Sequence, residues 1–462
     1  MQSPSRSEVI AAALAWFDAG HFRAELAGRV AHRTESQRAD SGPELLAYLE
    51  RAIAPSLEAL GFTWRLVENP AGRAPFLIAE RREGDDLPTV LTYGHGDVVH
   101  GYDAQWREGL SPWTVTERGD RWYGRGTADN KGQHSLNLAA LARVIEARGR
   151  LGFNVRLLME MGEETGSPGL HGVCERERDA LVADVLIASD GPRLSAARPT
   201  LFLGSRGAFN FDLTVDLREG GHHSGNWGGL LANPGTILAN AIASMVDARG
   251  RILVPGLRPP AIPDSVRRAL ATIEPGEPGG PAIDRDWGEP GLTPAERVFA
   301  WNTLDVLAFR TGNPDNPVNA IPPRASAHLQ VRFVVGSDHT TFIAAMRAHL
   351  DAHGFAQVNV SPSRAETMRA TRLDPEHPWV TRVAASIART TGAPPAILPN
   401  LGGSLPNDCF ADVLGMPTVW IPHSYPACSQ HAPNEHLLAS VAREGMAIMT
   451  GLFCDLGEHA AA

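Results

Sequence analysis

Histidines and carboxylates gather in five short islands of this chain: Gly94-His95-Gly96-Asp97, the run 124–132 around Asp129, Gly162-Glu163-Glu164-Thr165-Gly166, Ser189-Asp190-Gly191, and the run 429–435 around His431. Imidazole and carboxylate without thiolate is the ligand set of hydrolytic zinc sites, which keep one coordination position open for water. Each island alone has a plainer account. His95 reads as a hydrogen-bonded loop histidine, Asp129 and Asp190 as turn or cap residues beside glycine, and Glu163-Glu164 as a solvated charge pair. A surface account must explain each island separately, whereas one metal site explains all of them.

The elements around the islands favour the shared account. Short apolar runs at 76–79, 89–93, 155–159 and 185–188 read as strands, with a helical segment at 135–147 between two of them, which suggests an α/β sheet covered by helices. The last three strands each lead at once into polar, acidic or histidine residues, and the carboxyl ends of strands are where open α/β sheets bind ligands. Helical periodicity covers 10–22 and 45–60.

A second set of elements follows Arg206: strands at 208–217, 325–335 and 357–361, and helices at 234–246 and 340–353. That succession suits a small α+β layer on an antiparallel, ferredoxin-like sheet. The α/β character returns near Trp379, with a helix to Arg389 and a strand at 417–421, so the small layer reads as an insertion. The expected division is 1–205 and 369–462 for the larger domain and 206–368 for the inserted one. Crowded Pro and Gly make 274–291 a loop.

Bulk properties narrow the classes. A chain of 462 residues, 43% apolar and 20% charged, has the composition of a globular protein of about two domains. A net charge of −10 without basic clusters argues against a nucleic-acid partner. No run approaches the roughly 20 apolar residues of a membrane span. No export signal is read at the amino terminus, and Cys174, Cys409, Cys428 and Cys454 form no Cys-x-x-Cys pair, so a reducing cytoplasm is the expected location.

The order and wording of the islands resemble the M20 metallopeptidases, particularly their carnosinase-like dipeptidase branch, from about Thr92 to Glu435. The resemblance implies a catalytic domain interrupted by a lid and dimerisation domain, a homodimer, and two zinc ions per subunit, while the mixed nitrogen and oxygen donors also suit manganese or cobalt. It implies that Asp129 bridges the two ions, that His95 and Asp190 complete one, and that Glu164 and His431 complete the other. Asp97 matches the aspartate behind the first histidine. Residues two apart on an extended strand end face the same side, so Asp97 is expected to reach the far nitrogen of His95 and fix its tautomer. Glu163 matches the general base, which takes a proton from the metal-bridging water and delivers it to the leaving nitrogen.

The resemblance extends to the inserted segment. His223 in His223-Ser224-Gly225 matches a histidine that one subunit lends to the other's active site, and Asn319 and Arg332 fall where the branch contacts substrate. Gly403 and Ser404 match the loop at the substrate's carboxylate end. His100 and His222 depart from the pattern and read as polar loop residues.

The expectation is therefore a dinuclear zinc hydrolase cleaving the amide bond of dipeptides or small peptides with a free carboxylate. An N-acyl-amino-acid amidohydrolase or desuccinylase is the alternative with the same chemistry. A noncatalytic metal- or peptide-binding module is the alternative from another class, against which Glu163 speaks, because a binding scaffold has no need of it.

Overall fold

Val90, Leu91, Tyr93, Leu157, Leu158, Leu186 and Ile187 are all buried although neighbours along a strand point to opposite faces. Such strands can only lie in a sheet covered on both sides. The computed structural model, which describes residues 4–276, 280–363 and 367–459, places them in an eight-stranded sheet. Its order is Thr63–Val67, Phe76–Arg81, Asn154–Glu160, Thr89–His95, Val185–Ala188, Thr418–Trp420, Thr200–Phe202 and Ala396–Leu398.

Thr89–His95 pairs in parallel with Asn154–Glu160 and with Val185–Ala188, which in turn pairs in parallel with Thr418–Trp420. The carboxyl ends of these four strands therefore share one edge. One face is covered by Arg6–Asp18, Lys131–Arg148, Pro378–Thr391 and the long helix Ala439–His459, which contribute Val9, Leu136, Val383 and Met446 to a common apolar cluster. The other face packs against Leu170, Val173 and Phe410. Burial of each such side chain contributes about 1.5–3 kcal/mol.

A second sheet of four antiparallel strands runs in the order Thr303–Thr311, Arg324–Phe333, Gly207–Asp216, Asn359–Pro362. With the helices Pro234–Met245 and Phe342–Ala352, the chain order is βαββαβ, the ferredoxin-like succession. Phe209, Phe211, Leu213, Leu329 and Val331 pack against these helices, and the residues between them form the opposite, polar face. Within the span 206–368, however, Ile262, Val266, Leu270, Ala295 and Phe299 belong to the apolar cluster of the large sheet. The 274–291 segment has neither helix nor strand among its described residues, and 277–279 lie outside them.

Several local readings differ from the structure. The helix expected over 10–22 is two helices, Arg6–Asp18 and His21–Val30, broken where Gly20 takes φ 85°. The strand Thr303–Thr311 was not anticipated, nor was the helix Ala439–His459. In the strand, Val306, Leu307 and Phe309 are exposed and a bulge lies between Val306 and Ala308, so the alternation that announces a strand is lost. Among the described residues no helix is long and apolar enough to cross a membrane, and all four cysteines are buried free thiols.

Candidate active site

Two glycines allow the strand edge and the following helix to meet. A Cβ on Gly94 would lie 2.6 Å from the Cβ of His134, and one on Gly132 would lie 2.0 Å from the backbone oxygen of Thr127. The helix Lys131–Arg148 therefore starts directly beneath the end of Thr89–His95, with Asp129 in the loop that enters it. Asn130 Nδ2 ties this loop to Ser189 O at 2.8 Å, beside Asp190. His431 arrives from far along the chain on a loop in which Ser429, His431 and Asn434 all have positive φ, 58°, 59° and 66°. Such backbone is disfavoured for non-glycine residues and often accompanies functional sites.

The two oxygens of Asp129 face different partners. Oδ1 lies 3.1 Å from His95 Nε2, and Oδ2 lies 2.9 Å from His431 Nε2. Asp190 Oδ2 is 3.6 Å from His95 Nε2, and Glu164 Oε2 is 3.0 Å from His431 Nε2. Two groups able to hold a cation result, His95 with Asp129 and Asp190, and Asp129 with Glu164 and His431. Glu163 belongs to neither, its Oε2 standing 3.9 Å from His95 Nε2.

Asp97 stands beside both His95 and the acidic turn, and the hydrogen-bond partner of His95 Nδ1 is its backbone oxygen. His95 Nδ1 lies 3.2 Å from the backbone oxygen of Asp97 and 3.5 Å from its Oδ1, while the carboxylate accepts the backbone N–H groups of Glu163 and Glu164, both at 3.1 Å. One residue thus steadies the histidine and the acidic turn that follows the neighbouring strand.

The protonation energetics are those of a crowded acidic site. Burial pushes the Glu163 carboxyl well above the usual range, and the charges of Asp190, Glu164 and Asp129 add to it. Burial and the Asp129 charge push Glu164 up to about 7. Hydrogen bonding to Asp129 and Glu164 raises His431 to about 11. For His95 burial acts downward, but the neighbouring carboxylates of Asp129, Asp190 and Asp97 together hold its pKa well above the ordinary value. Asp129 is also buried, yet His431 and His95 pull its pKa below the usual range. A divalent cation among these buried carboxylates would favour their ionised forms, which burial alone disfavours. The donor set fits divalent cations on a direct observation too: His95 Nε2 and Asp190 Oδ2 are buried and make no hydrogen bond.

The groups open into a cleft of about 1010 Å³ that Arg332, Gly403 and Ser404 also line. Arg332 Nη1 donates to Ser404 Oγ at 2.8 Å, and Ser404 Oγ donates to Arg206 O at 2.7 Å. This joins the four-stranded sheet to the loop after Ala396–Leu398. Burial, then the nearby Arg332 charge, lowers Arg206 to about 10.

His223 and Asn319 do not line this cleft. They sit together, where Ser224 N and Oγ both donate to Asn319 O at 2.9 and 3.1 Å and His223 Nδ1 accepts the N–H of Gly225.

Other residues of the site escaped the sequence reading. Gln430 Nε2 donates to Asp129 Oδ2 at 2.5 Å. Glu435 Oε1 accepts the backbone N–H groups of Gly126, Ala128 and Asp129. Both stand in the island of His431, but nothing in residue type separates a buried grip from a solvated side chain. Asn210 and Gln330 line the cleft beside Arg332. The alternation of their strands, which puts Gln330 and Arg332 on one face, was the signal available for Gln330.

Comparison with known proteins gives consistent likenesses. The family model described as Peptidase family M20/M25/M40 matches residues 91–455. The cysteinylglycine-S-conjugate dipeptidase of Corynebacterium striatum is 27% identical over 364 residues, 77% of this chain and 77% of that protein. The beta-Ala-His dipeptidase of Homo sapiens is 26% identical over 411 residues, 83% of this chain and 78% of that protein. In fold, the chain resembles the crystal structure of an M20 family metallo-carboxypeptidase from Sulfolobus solfataricus with a TM-score of 0.77 at 24% identity, covering 95% of this chain and 99% of that one.

Proposed function

The chain belongs to peptidase family M20/M25/M40, and from that premise we propose that its cleft hydrolyses the amide bond of dipeptides or small peptides that end in a free carboxylate. The observation that carries this reading is Asp129, whose two oxygens face two separate histidine and carboxylate groups with Glu163 beside them. His95, Asp129 and Asp190 would hold one divalent cation, and Asp129, Glu164 and His431 a second, with zinc the expected ion and manganese or cobalt able to use the same donors. Bound there, the ions would polarise the scissile carbonyl and bring the pKa of water toward neutrality.

The chain's own residues do the rest. Glu163 takes the proton of the attacking water and passes it to the nitrogen as the C–N bond breaks, so that a carboxylate and an amine leave. Asp97 holds the backbone of Glu163 and Glu164, which fixes where the base stands. Arg332 and Ser404, which also line the cleft, receive the substrate's terminal carboxylate, for which a planar guanidinium is well shaped. Gly403, beside them, lets the substrate backbone approach. His223 and Asn319 lie outside the cleft of their own chain, and a homodimer that brings His223 to the second cleft accounts for its match to the family.

The test is a screen of dipeptides, their C-terminal amides and N-acyl amino acids with zinc-loaded protein, reading released amine by mass spectrometry. Cleavage of dipeptides but not of their amides is expected. Cleavage of N-acyl amino acids alone would overturn the peptide reading in favour of an amidohydrolase.

A further inference from the structure

On the polar face of the four-stranded sheet, register pairs Arg332 with Ala208, Gln330 with Asn210, and His328 with Asp212. The side chains there form one directed line of hydrogen bonds. Arg332 Nε donates to Gln330 Oε1 at 2.8 Å, Gln330 Nε2 donates to Asn210 Oδ1 at 2.8 Å, and Asn210 Nδ2 meets His328 Nε2 at 3.3 Å. His328 Nδ1 lies 2.7 Å from Asp212 Oδ1. An amide NH2 can only donate, so His328 Nε2 accepts, its proton sits on Nδ1, and Nδ1–H donates to Asp212. Every member is oriented by the next. Turning either amide over would set donor against donor at one side and acceptor against acceptor at the other.

The line leads from the cleft to the surface. Arg332, Gln330 and Asn210 line the cleft, whereas His328 and Asp212 do not and are 36% and 39% exposed. We propose that Asp212, His328, Asn210 and Gln330 are positioning residues that set the orientation of the Arg332 guanidinium for the carboxylate end of the substrate. This rests on the reading that Arg332 receives that carboxylate. A guanidinium is a rigid planar fork on a flexible stem, so fixing two of its corners fixes the plane of all its N–H groups. Gln330 holds Nε and Ser404 Oγ holds Nη1. Binding then spends little side-chain freedom, the usual gain of a preorganised site. Asp212 matters at a distance because it selects the tautomer on which the amide orientations depend.

The experiment measures kcat and KM separately on the dipeptide cleaved fastest in the screen, using zinc-loaded variants. His328→Leu and Asp212→Leu, both outside the cleft lining, are expected to raise KM about 3- to 10-fold, the loss of one or two hydrogen bonds, with kcat, zinc content and melting temperature unchanged. Asp212→Asn keeps an acceptor for Nδ1–H and is expected to retain a near-normal KM. Arg332→Ala is the reference and should raise KM by more than either. If Arg332→Ala raises KM while His328→Leu and Asp212→Leu leave it unchanged, the positioning line is overturned and the carboxylate reading stands. An unchanged KM in Arg332→Ala overturns both. A fall in kcat together with a lower melting temperature in the His328 and Asp212 variants would mark a general structural role and overturn the proposal as well.

Discussion

Replacing Glu435 with Gln tests how the two halves of the centre are joined. Glu435 Oε1 accepts three backbone N–H groups, from Gly126 at 3.0 Å, Ala128 at 3.0 Å and Asp129 at 3.1 Å, and Oε2 accepts Arg125 Nη1 at 2.7 Å. Both charged side chains are 1% exposed. Gln keeps the volume but has one acceptor oxygen for two sets of donors, so in either orientation its NH2 confronts an N–H group. Arg125 becomes a buried charge without its carboxylate, and breaking such a pair costs about 3–5 kcal/mol. An unfolding entropy of about 2.1 cal/mol/K per residue amounts to roughly 1 kcal/mol/K for 462 residues, so the metal-free protein is expected to melt about 3–5 °C lower.

The same loop carries Asp129, so zinc affinity should fall as well, by about 10–100-fold, the usual effect of losing a hydrogen-bond partner behind a metal site. Thermal melts and zinc competition against a chromophoric chelator measure the two effects. Adding Arg125→Met removes the stranded charge and lets the amide oxygen return to the three N–H groups, so stability and affinity should recover together. A single variant with unchanged zinc affinity would refute the argument that this carboxylate holds the Asp129 loop in place.

Three further outcomes are expected. Glu163→Gln should lower turnover about 10²–10⁴-fold with metal content near normal, read by single-turnover kinetics and elemental analysis; near-normal turnover would remove Glu163 from the reaction. Asp129→Ala should lose both ions together with activity, because one carboxylate serves both groups, and two tightly held ions in that variant would contradict the bridge. His223→Ala chains mixed with Glu163→Gln chains should recover up to about a quarter of unmodified activity after random subunit exchange, since one cleft of each mixed dimer keeps its own Glu163 and the other chain's His223. No recovery in demonstrated mixed dimers would place His223 outside the partner's cleft.

What the residues alone determine depends on the range of the signal they carry. The strands leading to His95, Glu163 and Asp190 were legible because apolar runs bounded by polar residues are local, and parallel neighbours necessarily deliver their carboxyl ends to one edge. Asp129 and His431 could be associated with them through residue type and family likeness. Periodicity likewise marked Gly207–Asp216 and Arg324–Phe333 as strands with one apolar face. It could not mark Thr303–Thr311, whose apolar residues Val306, Leu307 and Phe309 face outward, or reveal that Ile262, Val266, Leu270, Ala295 and Phe299 contribute to the large sheet's core rather than the small one's.

Only the tertiary structure decided which oxygen of Asp129 meets which histidine, that Asp97 holds the backbone of Glu163 and Glu164, and that Glu435 grips a loop 306 to 309 positions earlier in the chain. The line from Arg332 to Asp212 is likewise invisible in sequence, because its cross-strand bonds join residues 116 to 120 positions apart. Periodicity reports which side of an element is buried. Register and loop geometry depend on pairs that meet only when the chain has folded, and a shift of one residue in that register would turn each of these polar side chains to the opposite face.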